Sequence, residues 1–273
     1  FRRVLFRSES LDTVSLQGSA TGRSEIVTFD LYPLRFRPAA GRERPWTANS
    51  LRGAFGAAMK RLHPEAYSAY FAPKASGGPS GLATPPRPFV FRIREDQIGL
   101  NLFATDPAVM DLFCGVMREL GFELAESPAL LRLPLGERQG RVTKVRVRFD
   151  SPTELERVPA SVEGIEFGVL ARRIRDRLST LRALYGVGAL DIDFKAFGEA
   201  ADAIQLKRCE LTRVSEERVS KSTGQRHPLG GFTGFAEYEG ELGMFLPCLE
   251  AAHYTGVGRQ TVWGKGEISV EEI

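Results

Sequence analysis

The sequence predicts an α+β protein of two tandem ferredoxin-like (RRM-like) domains. Three observations predict it. The second half reads strand, helix, strand, strand, helix, strand, the order of a split βαβ unit. The first half follows the same order less cleanly, with Gly136 to Gly140 as a break between the two. The chain is also 42% hydrophobic and 26% charged over 273 residues, enough apolar material for two cores of this size. The expected organisation is a lead-in over 9–24, a first domain over 25–138 and a second over 139–273, with residues 1–8 set apart below.

The first domain starts with Ile26 to Tyr32, where apolar and polar residues alternate as in a half-buried strand. Pro38 to Pro45 is a loop. Asn49 or Ser50 caps the helix that follows, whose Leu51, Phe55, Met59 and Leu62 form one apolar face. His63-Pro64 ends it, because proline disfavours helical geometry in the residue before it. Residues 72–88 are rich in Pro, Gly, Ser and Ala and read as a loop. Phe89 to Ile93 and Gly99 to Phe103 read as strands. Thr105-Asp-Pro opens a second helix with Val109, Phe113, Val116 and Leu120 on its core face. Leu130 to Leu135 is the closing strand.

The second domain starts with Val142 to Phe149, a clear alternating strand. Residues 165–185 form the strongest helix, with Phe167, Leu170, Ile174, Leu178, Leu181 and Tyr185 on one face. Arg172, Arg173, Arg175, Arg177 and Arg182 are expected on its solvated side. Gly186 and Gly188 stop the helix. Ala203 to Thr212 and Gly230 to Tyr238 are strands, 241–252 is a short helix, and Gly266 to Val270 closes the domain.

No apolar run approaches the ~18 residues that span a bilayer. Cys114, Cys209 and Cys248 are far apart and odd in number, which argues against a disulfide framework and a cysteine zinc site. A reducing, cytoplasmic compartment is expected, with no membrane partner. With only three histidines, His63, His227 and His253, no metal centre is expected. The octapeptide Phe1 to Ser8 back-translates to a sequence resembling read-through of a common sequencing adapter, and 1–8 is expected to be an assembly scar. The chain holds 37 Lys and Arg against 34 Asp and Glu. Without Arg2, Arg3 and Arg7 the balance is 34 against 34, so any case for nucleic acid rests on local clustering.

The sharpest motif is Gly256-Val-Gly258-Arg-Gln-Thr-Val-Trp-Gly264-Lys-Gly266. It follows a helix and runs into a strand, so it is neither a dinucleotide fingerprint nor a Walker loop. Its glycines permit positive φ and close backbone approach, which lets amides face phosphates, and Arg259 and Lys265 add charge. The alternative is an ordinary tight turn.

This tail resembles the C-terminal region of the CRISPR-associated repeat-processing endoribonucleases, in the RAMP superfamily. Ser50-Leu-Arg-Gly-Ala-Phe-Gly56, Pro86-Arg-Pro-Phe-Val and Phe149-Asp-Ser-Pro-Thr match family segments in order. Pro228-Leu-Gly-Gly-Phe-Thr-Gly234 with Tyr238 and Gly240, and the glycine loop, complete the pattern over about residues 26–270. The resemblance implies binding of CRISPR repeat RNA and one metal-independent cut per repeat. In that cut the 2′-hydroxyl attacks the adjacent phosphate and leaves a 2′,3′-cyclic phosphate and a 5′-hydroxyl. It implies no cofactor, and other CRISPR effector subunits as partners.

Such a reaction needs a general base, a general acid and cations near the phosphate. His63, with Lys60, Arg61 and Tyr67 nearby, is the first candidate; its alternative is a surface histidine at a helix C-terminus. His253, three residues before the glycine loop, is the runner-up, and Lys60 with Tyr67 or Tyr70 is the recourse without a histidine. His227 is expected to touch RNA or solvent. Expected RNA contacts are Gly256, Gly258, Arg259, Trp263, Gly264, Lys265 and Gly266 of the loop. Arg138, Arg141, Lys144, Arg146 and Arg148 form one basic cluster, the last three sharing a strand face. Arg213, Arg218, Lys221 and Arg226 form another, in a loop suited to clamping a hairpin. Trp263 is expected to stack on bases and Trp46 to pack its own loop. The competing readings are a non-catalytic RNA-binding effector subunit and, from another class, a metabolic enzyme whose loop binds a nucleotide.

Overall fold

The computed structural model describes residues 27–40, 45–73, 85–94, 97–138, 140–155, 164–215, 217–219, 226–228 and 230–273. The expected scar at 1–8 and lead-in at 9–24 lie outside the described residues, as does Lys221.

Strand β1 (Thr28–Pro38) leads into helix α1 (Ala48–Leu62). Thr47, not Asn49 or Ser50, caps α1: its side chain accepts from the Ser50 amide while Ser50 Oγ accepts from the Thr47 amide, a reciprocal capping box. Beyond His63 the chain turns back through a short helix α2 (Pro64–Ala66) and a π-helical turn (Tyr67–Phe71). Then come β2 (Phe89–Ile93), β3 (Ile98–Leu102) and α3 (Pro107–Glu119), the last capped by Asp106, whose carboxylate accepts from the Ala108 amide at 2.9 Å. The closing strand of this unit is β4 (Phe122–Leu124), which the sequence reading missed. The expected strand at 130–135 is present as β5 (Leu131–Pro134), but it pairs with the N-terminal half of β1, while β4 pairs with the C-terminal end. The sheet runs β2-β3-β1-β4 and is antiparallel.

The second unit contains β6 (Lys144–Thr153), α4 (Phe167–Tyr185), α5 (Phe194–Asp202), β7 (Gln205–Val214), the hairpin β8 (Glu217–Val219) and β9 (Arg226–Pro228), β10 (Gly231–Glu239), α6 (Leu246–Thr255) and β11 (Ile268–Glu272). Helix α5 was not expected. The main sheet runs β11-β6-β10-β7. Numbered within each unit, both sheets have the order 4-1-3-2, so the α+β fold of two ferredoxin-like units is observed.

Two cores explain how the units stack. Tyr32, Leu34 and Phe36 of β1 face α1 and α3, with Phe55, Phe89 and Phe113 in mutual ring contact at 5.2–5.7 Å. Phe29 and Leu31, on the other face of β1, join Val90 and Phe103 in a core shared with α4 and α6. Asn101 on β3 donates to the Tyr254 carbonyl at 3.0 Å across that seam. Helices α4 and α6 therefore lie between the two sheets. On β6, Val145, Val147 and Phe149 point to these helices, and Lys144, Arg146 and Arg148 point to the opposite face.

The arginines of α4 do not form a solvated face. Arg172 is ion-paired with Asp202 of α5 and donates to the Gly198 carbonyl at 3.0 Å. Arg175, only 7% exposed, donates to the Phe194 carbonyl and lies 4.5 Å from that ring. Arg182 donates to the Ala189 carbonyl at 3.0 Å. Long side chains here fasten α4 to its neighbours.

Candidate nucleic-acid interface

Helix α6 ends at Gly256, and the glycine loop crosses back to β11 through one 3-10 turn (Thr261–Trp263). Gly258 and Gly266 have φ of +80° and +69°. A Cβ on Gly258 would collide with the Glu154 carbonyl, and one on Gly266 with the Val257 carbonyl. The glycines thus let the loop pack on itself and on the chain at Glu154, just past β6. Its amides are largely spent inward: Val257 donates to Gly266, Arg259 to Glu154, Gly264 to Thr261 and Gly266 to Pro152, at 2.8–3.1 Å. Lys265 is 8% exposed, whereas Arg259 is exposed and lies 3.3 Å from Glu154. The loop touches the first unit directly: a Cβ on Gly264 would stand 2.8 Å from that of Ala48, and the Arg52 guanidinium lies 5.2 Å from the Trp263 ring centre.

Beneath the loop lies a charged joint between the units. Glu267, next to Gly266, is ion-paired with Arg94 just beyond β2, and lies 3.7 Å from Arg92 on that strand. Burial opposes ionisation of Glu267, but the Arg94 hydrogen bond and the Arg92 and Arg94 charges outweigh it and hold the carboxyl below the usual range. Arg92 is 7% exposed, and its Nε and Nη2 make no hydrogen bond among the described residues. Burial lowers its pKa to about 10. Arg177 of α4 donates to the Thr255 carbonyl at 3.1 Å and to Thr261 Oγ1 at 2.8 Å, clamping both ends of the loop's first half. Burial, and then the Arg92 charge, lower its pKa to about 10 as well.

The candidate residues fall into separate places. His63, Lys60 and Tyr67 gather at the C-terminal end of α1, while Ala48 at its N-terminal end abuts the loop. A helix of 15 residues separates these ends by about 22 Å. His63 therefore does not join the loop. Tyr67 stacks on Phe71, with centroids 5.1 Å apart, and Tyr70 packs on Phe113. His253, in the last turn of α6, is exposed and holds Nδ1 3.0 Å from the Ile268 carbonyl, one residue from Glu267. Of the histidines whose side chains are described, it is the one beside the loop.

The basic face of β6 is matched by acids. Arg146 lies 2.6 Å from Glu237 and 3.8 Å from Glu271, Lys144 lies 3.3 Å from Glu239, and Arg148 lies 3.8 Å from Asp150. Arg138 pairs with Glu250 and Glu272, and Arg141 with Glu241. Arg213 is near the end of β7, and Arg218 stands opposite His227 in the hairpin β8–β9, which also carries Arg226. Trp46 packs on Phe122 at 5.4 Å. Sequence reasoning missed Arg52, Arg92, Arg177 and Glu267. The signal for Arg92 was a charge inside the apolar run Phe89 to Ile93.

Among the described residues no group of three His, Cys, Asp or Glu side chains is placed to hold a metal ion, and no helix is long and apolar enough to cross a membrane.

Residues 147–268, which include the loop, Arg177 and Glu267, match the family model described as CRISPR-associated endoribonuclease Cas6. A search of curated proteins finds no significant match. Among solved structures, a Cas6 product complex superposes with a TM-score of 0.60 at 17% identity, covering 89% of this chain and 100% of that one. Thermus thermophilus Cas6 gives 0.55 at 16%, covering 90% and 100%. A partial Cas6-RT-Cas1–Cas2 complex gives 0.51 at 14%, covering 91% of this chain and 47% of that one. In the sequence of its second half, and in fold over nearly all its length, the chain resembles the CRISPR-associated repeat-processing endoribonucleases.

Proposed function

We propose that this chain binds CRISPR repeat RNA and cuts precursor transcripts into guide RNAs without a metal ion. The observation that carries the reading is the glycine loop wedged between the two units, inside the segment that matches the Cas6 family model, with Arg52, Arg92, Arg94 and Arg177 around it. A solved neighbour described as a Cas6 product complex supports the RNA partner, and one described as a Cas6-RT-Cas1–Cas2 complex supports partners among other CRISPR proteins. The reading keeps the division near residues 138 and 139 and the cytoplasmic setting.

In the proposed step the 2′-oxygen attacks the neighbouring phosphorus as its proton passes to a base. The bond from phosphorus to the 5′-oxygen breaks, and that oxygen takes a proton from an acid. The products are a 2′,3′-cyclic phosphate and a 5′-hydroxyl. His253 is the proposed base, in place of His63. A carbonyl only accepts, so Nδ1 facing Ile268 O carries the ring proton and Nε2 is left as acceptor. Lysine and arginine charge around the loop stabilises the developing dianionic phosphorane.

The test is cleavage of a labelled cognate repeat in EDTA, with a 2′-deoxy block at the cut site as control and His253→Ala and His63→Ala as variants. Cutting that is lost with the block and with His253→Ala supports the reading. Tight, salt-sensitive binding without cutting returns the chain to the non-catalytic RNA-binding class, which the inward-spent loop amides favour. Thermal stabilisation by ATP or NAD would instead support the nucleotide-enzyme reading.

A further inference from the structure

Behind His63 the chain doubles back along α1, and this return lays a continuous cation–aromatic ladder on the helix. Lys60 Nζ lies 5.8 Å from the Tyr67 ring centre. Tyr67 stacks on Phe71 at 5.1 Å with an interplanar angle of 21°. The Arg52 guanidinium lies 4.7 Å from the Phe71 ring and 5.2 Å from that of Trp263 in the glycine loop.

Three local features build it. The Phe71 ring rests on the bare Cα of Gly56, where any Cβ would collide with it. Arg87 grips the other end, donating to the Phe71 carbonyl at 2.6 Å. The π-helical turn closes with the Ala72 amide donating to the Tyr67 carbonyl at 2.8 Å. Such turns are rare and recur at functional sites. Phe71 itself is buried and serves as the fixed centre, while Lys60 is exposed and Tyr67, Arg52 and Trp263 are half-buried.

We infer that this ladder is a track for single-stranded RNA, running from the glycine loop to the far end of α1. The inference rests on the RNA-binding reading above and adds which form of RNA is held and by which groups. Rings interspersed with cations suit unpaired bases, whose faces are open for stacking, and the cations follow the backbone. A duplex keeps its base faces covered and gains nothing from Tyr67 or Trp263. The track also gives Lys60 and Tyr67 a binding role away from the loop.

Two probes test it, a labelled uridine decamer and a repeat hairpin trimmed of its single-stranded flanks. Tyr67→Ala is expected to weaken decamer binding about fivefold or more, with Tyr67→Phe near wild type and the trimmed hairpin unaffected. Lys60→Gln and Arg52→Gln are each expected to lower the log–log salt slope for the decamer by about 0.7. In a Trp46→Phe background, which leaves Trp263 as the single tryptophan, the decamer should quench the fluorescence. A protein that binds the hairpin but ignores the decamer, or a Tyr67→Ala variant with unchanged decamer affinity, overturns the track and leaves RNA processing standing. Failure to bind either RNA at low salt overturns both.

Discussion

Gly266 lies against Val257 as a strand residue lies against its partner: the Val257 amide donates to the Gly266 carbonyl at 2.8 Å, and no side chain fits on Gly266 beneath the Val257 carbonyl. The two glycine pairs of the motif are thus the two sides of one backbone fold.

Gly266→Ala should therefore destabilise the protein by about 2 kcal/mol or more, because alanine meets both the positive φ and the collision. Gly53→Ala is the opposite case. Gly53 is in α1 with open space around it, and alanine there should stabilise by about 0.5–1 kcal/mol. Urea denaturation of both variants checks the pair.

Glu267→Gln should cost about 3 kcal/mol at neutral pH, since it leaves the Arg92 and Arg94 charges at the joint without their carboxylate. The carboxyl is held low when folded, so its contribution is present above the unfolded value near 4.5 and is lost as pH falls through the folded value. The wild type should lose stability on acidification below about pH 4.5 more steeply than Glu267→Gln. Denaturation midpoints between about pH 3 and 7 show the sign.

Arg92→Met should change stability by less than about 1 kcal/mol. The buried guanidinium leaves two nitrogens without hydrogen bonds among the described residues, and Glu267 keeps Arg94. In the double variant with Glu267→Gln the losses should be less than additive, because removing one charge relieves the other. A double-mutant cycle by urea denaturation measures this.

His253→Ala should slow repeat cleavage by about a hundredfold or more, the range of a lost general base, while His63→Ala stays within a few-fold of wild type. Single-turnover rates separate these from binding effects. The reverse order would return the base to the far end of α1.

The regular parts of the fold were legible because they are periodic. The faces of α1, α3 and α4 and the alternation of β6 identify themselves within a few residues. Strand β4 was not legible: three residues carry no period, and only pairing to Phe36 through Pro38 makes them a strand. Helix α5 was hidden in the same way, since its apolar contacts are completed by Arg172 and Arg175 from another helix. The candidate site divided along the same line. The loop was visible as a glycine pattern, but its floor joins Arg92, Arg177 and Glu267 from three distant segments. His63 was read with Lys60, Arg61 and Tyr67, and the structure places Lys60 and Tyr67 together with it at the C-terminal end of α1.

The helices α4 and α6 serve two sheets at once, one on each side. A chain severed between β5 and β6 would uncover Phe29, Leu31, Val90 and Phe103 on one fragment and the backs of both helices on the other. Each fragment would then expose the apolar surface that the other covers. The two ferredoxin-like units, however alike in strand order, are expected to melt together in a single transition, which calorimetry would show.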